Sequence, residues 1–337
     1  MNNPLISIII PAYNRATLIK DTLQSIIAQS SSDWECIVID DGSTDTTVEV
    51  VSAFAKANSR IQLHKRSESY QSGGNGARQM GLDIASSDWV LFVDSDDVLA
   101  ENCIENRINT IDETLDMTVF HTATFKKNIG DHQIYWNLLH EKETNEEYLI
   151  RFLIQDMPWH TMGVLWRKKF LQHIGGWNQN LTAWQDWELH VRALTYKPKI
   201  KSNNTIADNY YRLDVVNSIA SKKRSLQYNL TIKKAIECVE AKVLHSFTAS
   251  EIKKRIQYLI YRNLIANPIK WKLFQLPFAL KTSDMSFSTV SKQKFLRAYW
   301  KERFFSITII KRILKHKCKL SYYDYLYPTT TFLKKRF

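Results

Sequence analysis

The sequence predicts an α/β fold, a parallel sheet covered on both faces by helices. Two patterns predict it: continuous β-branched runs that suit strands buried on both faces, and segments of helical period between them. A third observation separates front from back. The net charge is +12, yet residues 220–337 carry 26 Lys and Arg against 6 Asp and Glu, which leaves the first 219 residues acidic. A mainly helical, basic C-terminal region with a partner of its own is therefore expected.

In chain order, "LISIIIPAYN" reads as the first strand. "ATLIKDTLQSIIAQ" reads as a helix with Leu18, Ile19, Leu23, Ile26 and Ile27 on its buried face. "WECIVIDDGSTD" is a strand and a turn. "TTVEVVSAFAKA" is a helix capped from Ser43–Asp45, with Val48, Val51, Phe54 and Ala55 inward. "RIQLHKRS" gives a third strand, "NGARQMGLDIA" a helix after the Gly73-Gly74 loop, and "WVLFVD" a fourth strand. Beyond it, Ile104, Ile108, Ile111 and Leu115 place a helix over 101–115, and "MTVFHTATF" alternates like one strand. "LWRKKFLQHIGGW" reads as a helix stopped by glycines, and "WQDWELHVRALTY" as another with Asp186 in its first turn.

Composition narrows the class. Cys36, Cys103, Cys238 and Cys318 show no metal-ligand spacing and suit reduced thiols, so a cytoplasmic setting is expected. The opening "MNNPLISIIIPAY" has no basic start and reads as a strand rather than a signal peptide. No apolar run reaches the length of a membrane span.

In an open α/β sheet, ligands bind at the carboxyl ends of the strands. Tyr13, Asn14 and Arg15, Asp40 and Asp41, and Asp94, Ser95, Asp96 and Asp97 all fall there. In extended backbone Asp94 and Asp96 point one way and Asp97 the other. Such hard oxygen donors suit Mg²⁺ or Mn²⁺ together with substrate phosphates, although the same acids suit a turn capping the next helix. Asp40-Asp41-Gly-Ser is equally ordinary turn chemistry. "SGGNGAR" could set backbone N–H groups or Arg78 against phosphate, but it lacks a full dinucleotide or P-loop fingerprint. Trp159, His160, Trp177, Trp184 and Trp187 surround the second acidic motif and offer flat faces to sugar rings, or simply fill a core.

"SIIIPAYNR", "IVIDDGSTD", "NGARQMGLDIASSDWVLFVDSDD" and "WQDWEL", in this order and spacing over residues 5 to about 195, resemble the inverting nucleotide-sugar glycosyltransferases of family 2. The resemblance implies a GT-A fold: a single Rossmann-like mixed, mostly parallel sheet flanked by helices. It implies a catalytic domain over 1–219, with a nucleotide-binding half to about 100 and an acceptor half from 101, before the basic region at 220–337. Pro11, Ala12 and Tyr13 would line the base pocket, Asp41 would accept from uracil, and Arg15, Arg78, Asp94 and Ser95 would meet the nucleotide-sugar. Asp96 would hold Mn²⁺ or Mg²⁺, with Asp97 as a further candidate ligand. Asp186 would be the catalytic base, where Gln185-Asp186 replaces the Glu-Asp of many members; the bland alternative is a helix N-terminal charge. Trp159, His160 and Trp184 are the candidate acceptor residues.

The implied activity is metal-dependent transfer of one sugar from a nucleotide donor, expected to be a UDP-sugar, to a glycan or lipid-linked glycan. A sugar nucleotidyltransferase and a non-catalytic nucleotide-binding protein are its competitors. "RFFSITIIKRILKHKCKL" at 303–320 mixes apolar and basic residues in a way that suits a helix on the anionic inner face of a membrane, or a packed helix with a solvated basic face. Nucleic acid is not an expected partner, since no recognisable module accompanies the charge.

Overall fold

The computed structural model describes residues 4–213 except 133, 141 and 205, together with 215, 226–247 and 259. Its first half follows the predicted alternation: β1 (Ile6–Ala12), α1 (Ile19–Ile27), β2 (Trp34–Asp40), α2 (Thr47–Ala57), β3 (Ile61–Lys65), α3 (Gly74–Ile84) and β4 (Trp89–Phe92). β1 pairs in parallel with β2 and β4, and β2 with β3. The unbroken apolar runs have a direct cause. Ile9, Ile37, Ile39, Val90 and Phe92 enter one core, while Ile8, Ile10, Cys36, Val38 and Leu91 enter the other, so both faces of each strand are buried.

Ile27 and Val48 turn toward solvent. Their helices bury narrower stripes, Ile19, Thr22, Leu23 and Ile26 on α1 and Thr47 and Val51 on α2. The N-cap of α2 is Thr46, whose side chain makes no capping bond, while Asp45 one residue earlier accepts from the backbone N–H and the hydroxyl of Thr47.

The second half departs further from expectation. Its elements are β5 (Val98–Leu99), α4 (Cys103–Ile108), β6 (Met117–Phe120), β7 (Ala123–Phe125), α5 (Asn145–Leu153), β8 (Val164–Arg167), α6 (Lys168–His173), α7 (Gln185–Thr195), β9 (Ile200–Asn203), β10 (Asn209–Arg212) and α8 (Leu226–Ser246). The helix expected over 101–115 lasts six residues. Past it, Thr110 returns both its N–H and its hydroxyl to the Arg107 carbonyl. Ile108, Ile111 and Leu115 still pack on the core, so their spacing recorded burial rather than continued helix. "MTVFHTATF" is two strands in two sheets, broken where Thr122 donates to Asn137 and Asn209. "LWR" is not helical: β8 lies antiparallel between β4 and β6, and the helix begins only at Lys168. The glycine stop holds, with Gly175 and Gly176 at φ of 92° and 61°.

The main sheet is therefore mixed, in the order β3-β2-β1-β4-β8-β6-β9, and a small sheet β5-β10-β7 stands beside it. α8 adds Ile232, Ile236, Val239 and Val243 to the core that holds Trp159 and Leu189, so this helix of the basic region is packed. The segment expected at a membrane surface, and Cys318, lie outside the described residues. Cys36, Cys103 and Cys238 are free thiols, and burial pushes Cys103 up to about 12. Among the described residues no helix is long and apolar enough to cross a membrane.

Candidate active site

β1 sits where the strand order reverses, with β2 on one side and β4 on the other, and a crevice opens outside such a switch point. The carboxyl ends of these three strands bring the predicted residues together. The Asp41 N–H donates to the Ala12 carbonyl, and the Val93 N–H to the Ile9 carbonyl.

The acidic run after β4 is a turn rather than extended backbone, closed by Asp97 N–H to the Asp94 carbonyl at 3.1 Å. The predicted division of sides is nonetheless observed. Asp94 and Asp96 are partly open, whereas Ser95 and Asp97 are buried. Asp97 is fully enclosed: its Oδ1 accepts from the Arg212 backbone at 2.8 Å, and its Oδ2 has no hydrogen-bond partner among the described residues. Burial, then the charges of Asp96 and Asp94, push its carboxyl well above the usual range. Burial and Asp94 also raise Asp96, against the pull of Arg15, whose Nε lies 3.6 Å away. Burial works against ionising Asp94, but Arg78, His160 and Arg15 together hold it below the usual value.

On the β2 side, Asp40 folds back onto the Gly42 and Ser43 N–H groups, and Asp41 faces the loop before α3. Asp41 pairs with Arg66 and accepts from the Gly73 N–H at 2.7 Å. That loop requires glycine at 76, where a Cβ would lie 1.8 Å from the Gln71 carbonyl oxygen. Asn14, at φ 51°, accepts from the Thr44 N–H, and Arg15 donates its N–H to Thr47. The β1 and β2 loops are thereby zipped together. Tyr13 is 53% exposed and Ala12 is buried, so of the expected base-pocket residues the tyrosine presents the open ring.

On the other side of the crevice, Arg78 rises from the first half of α3, donates to Asp94 at 2.5 Å and lies over the Trp177 ring at 4.9 Å. Asp186 stands in the first turn of α7, where the N-terminal dipole favours a negative charge. Its Oδ1 accepts from the Trp187 N–H. His160 is buried within electrostatic reach of both Asp94 and Asp186, and burial holds its imidazole below the ordinary value against their attraction. The Tyr211 ring is 5.0 Å from that of His160. Burial, then Asp97, Asp96, Asp94 and Asp186, push the Tyr211 phenol up to about 12, so it stays a donor. Two aromatic side chains thus connect the acidic turn with an aspartate about 90 positions away in sequence.

The tryptophans divide. Trp159 is fully enclosed against Tyr148, Phe152 and His190 and offers no face to an acceptor, a correction to the expected sugar wall. Trp187 is buried, donating to the Phe152 carbonyl. Trp177 underlies Arg78. Trp184 remains partly open, at a left-handed φ of 58°, against Trp187.

Three residues of the site went unnoticed in sequence: Arg66, Tyr211 and Arg212. Arg212 donates its N–H to Asp97, its Nε to the Asp96 carbonyl and its Nη2 to Asp21, each at 2.8 Å. β10 is too short for a period to show, and the only signal was an arginine closing an aromatic pair in "NYYR".

No three carboxylates, imidazoles or thiols among the described residues form a closed metal cage. The donor set nevertheless fits Mg²⁺ or Mn²⁺, which take one or two carboxylates and leave other positions to phosphate and water. Asp96 supplies a partly open carboxylate whose charge is disfavoured by burial and by Asp94, with Arg15 as its nearest cation.

Residues 7–173 match the family model described as glycosyl transferase family 2. This segment, just under half of the chain, is similar to glycosyl transferase family 2. The chain is similar to the GalNAc(5)-diNAcBac-PP-undecaprenol beta-1,3-glucosyltransferase of Campylobacter jejuni, at 34% identity over 42% of this chain and 40% of that one. The first curated relatives are matched over only 40–43% of their own length. Among solved structures, S. aureus TarS 1–349 in complex with UDP-GlcNAc superposes with a TM-score of 0.62 at 17% identity, covering 87% of this chain and 81% of that one. The mannosyltransferase PcManGT from Pyrobaculum calidifontis, in complex with GDP-Man and Mn²⁺, gives 0.54 at 17%, covering 95% and 89%. At these identities the structural likeness establishes a shared GT-A fold. The family match and the fold agree with the resemblance read from the four motifs.

Proposed function

We propose that the chain transfers one sugar from a UDP-sugar to a glycan or lipid-linked glycan acceptor, with inversion and with a divalent cation. The observation that carries this reading is that His160 and Tyr211 each interact electrostatically with both Asp94 and Asp186. The donor-side acids and the predicted base thus lie within reach of the same two side chains, which supports a shared site. The complex of TarS with UDP-GlcNAc supports a UDP-sugar, that of PcManGT with GDP-Man and Mn²⁺ supports a metal, and the C. jejuni undecaprenol-linked glucosyltransferase supports a lipid-linked acceptor.

The sugar–diphosphate bond breaks heterolytically, so the leaving diphosphate must be stabilised. Mn²⁺ or Mg²⁺ held by Asp96 would supply that neutralisation when bound. Arg78 and Arg15 add fixed positive charge beside the same turn. Asp41 and Tyr13 would meet the base, and Asp94 the ribose or sugar. An acceptor hydroxyl is a weak nucleophile until a positioned base takes its proton, and Asp186 is that base. It must act from the face opposite the leaving group, which gives a single displacement and inversion.

Asp186→Asn tests the assignment. UDP binding by calorimetry should be retained while UDP release from UDP-sugars in the presence of acceptor collapses. Undiminished turnover would overturn the base. UDP binding by a wild-type protein that turns over no sugar nucleotide would favour a non-catalytic role.

A further inference from the structure

We infer that Arg212 is a positioning residue that fixes the acidic turn so that Asp96, and not Asp97, presents its carboxylate to the cation. The inference rests on the proposed metal role of Asp96.

Four contacts at one residue make the argument. The Arg212 backbone N–H holds the Asp97 carboxylate inward, and its Nε holds the Asp96 main-chain carbonyl. Its Nη2 reaches Asp21 on α1, and its guanidinium lies 4.5 Å above the Phe125 ring. Thr22, next to Asp21, donates its hydroxyl to the Asp97 carbonyl at 2.8 Å. The turn is therefore gripped at two consecutive carbonyls and one carboxylate, while the Asp96 side chain stays partly open.

A turn of four residues carrying three acids has no intrinsic reason to aim one of them. Like charges repel, and each carboxylate would otherwise rotate toward solvent. Arg suits this role because its planar fork serves two acceptors at once while its face stacks on an aromatic ring, which a lysine ammonium cannot do. Outer contacts that orient a metal-ligating carboxylate typically govern affinity strongly. Arg212 also lies beyond residue 173, where the family match ends. The catalytic turn is thus braced by a strand contributed from outside the matched segment.

The test is Mn²⁺ binding to the UDP-loaded full-length protein, followed by the free Mn²⁺ resonance at a temperature well below each variant's unfolding. Arg212→Ala should weaken Mn²⁺ about tenfold to hundredfold, with UDP affinity in chelator unchanged, and Arg212→Lys should fall between it and wild type. Asp21→Asn removes only a half-exposed partner and should cost about threefold, the scale of an exposed ion pair. A folded Arg212→Ala that binds Mn²⁺ as wild type does overturns the inference. Should Arg212→Ala not fold, an Asp21→Asn with unaltered Mn²⁺ affinity overturns it instead. Wild-type protein that binds UDP but no Mn²⁺ overturns the metal reading itself, an outcome separate from equal binding by wild type and variant.

Discussion

Arg78 donates to Asp94 Oδ1 at 2.5 Å while its guanidinium lies over the face of Trp177. The ring in turn meets Phe92, at the end of β4, edge-on at 5.1 Å. A core aromatic thereby holds a buried cation beside the acidic turn, and the orientation of that cation depends on a ring that is itself enclosed.

Arg78→Lys keeps the charge but loses the stacked, planar donor, and such an exchange is not conservative. Its hydrogen bond to an ionised partner is worth about 1.5–3 kcal/mol. UDP-sugar affinity measured by calorimetry should therefore drop about tenfold or more. Trp177→Leu should weaken donor binding in the same direction, by up to about 2 kcal/mol for the lost, desolvated cation–π contact. Unchanged affinity in both would separate Arg78 from the donor.

Asp96 and Asp97 differ in what their carboxylates already do, so their amides should separate. Asp97→Asn preserves the acceptor for the Arg212 N–H and removes a buried charge that Asp94 and Asp96 disfavour. Its unfolding temperature should be equal to or above that of wild type, with Mn²⁺ affinity nearly retained. Asp96→Asn should fold normally and lose Mn²⁺ affinity by about tenfold or more, at least the effect of losing an orienting contact. The opposite ranking would make Asp97 the ligand.

The front of the molecule was legible because long-range order there follows local pattern. β1 and β2 sit between two cores, so all their residues but Ser7, Glu35 and Asp40 are apolar, and α1 to α3 need only one stripe each. The acids after β4 were legible for the same reason: the sheet edge is a fixed place. Legibility ends where burial is supplied by tertiary neighbours. Trp166 looked like part of a helix because the lysines after it belong to one, yet its backbone pairs with β4 and β6. Trp159 read as a sugar platform because composition cannot tell an exposed ring from one enclosed by α5 and α7. Arg212 reaches Asp97 over 115 positions, and Arg66 meets Asp41 from the end of β3. Neither spacing carries a period.

His190 offers a last test, of stability rather than chemistry. One turn after Asp186 on α7, it is fully buried, stacks on Trp166 at 5.8 Å and touches Trp159 and Phe152. Among the described residues neither ring nitrogen has a hydrogen-bond partner. Burial holds its imidazole down to about 4, with Asp186 opposing and His160 reinforcing the shift. In the unfolded chain the group takes up its proton near pH 6.5, so below that pH the unfolded state binds the extra proton. Its contribution is whole above about pH 6.5 and is lost as the pH falls toward 4, an effect on the order of 3 kcal/mol. His160 shifts in the same direction, so wild type alone does not isolate His190. His190→Leu does: it fills a similar volume and abandons no hydrogen bond. Thermal unfolding at pH 7.5 should be nearly unchanged by the substitution, whereas the fall in unfolding temperature between pH 7.5 and 5 should shrink. A variant with the full wild-type fall would show that His190 takes up no extra proton on unfolding.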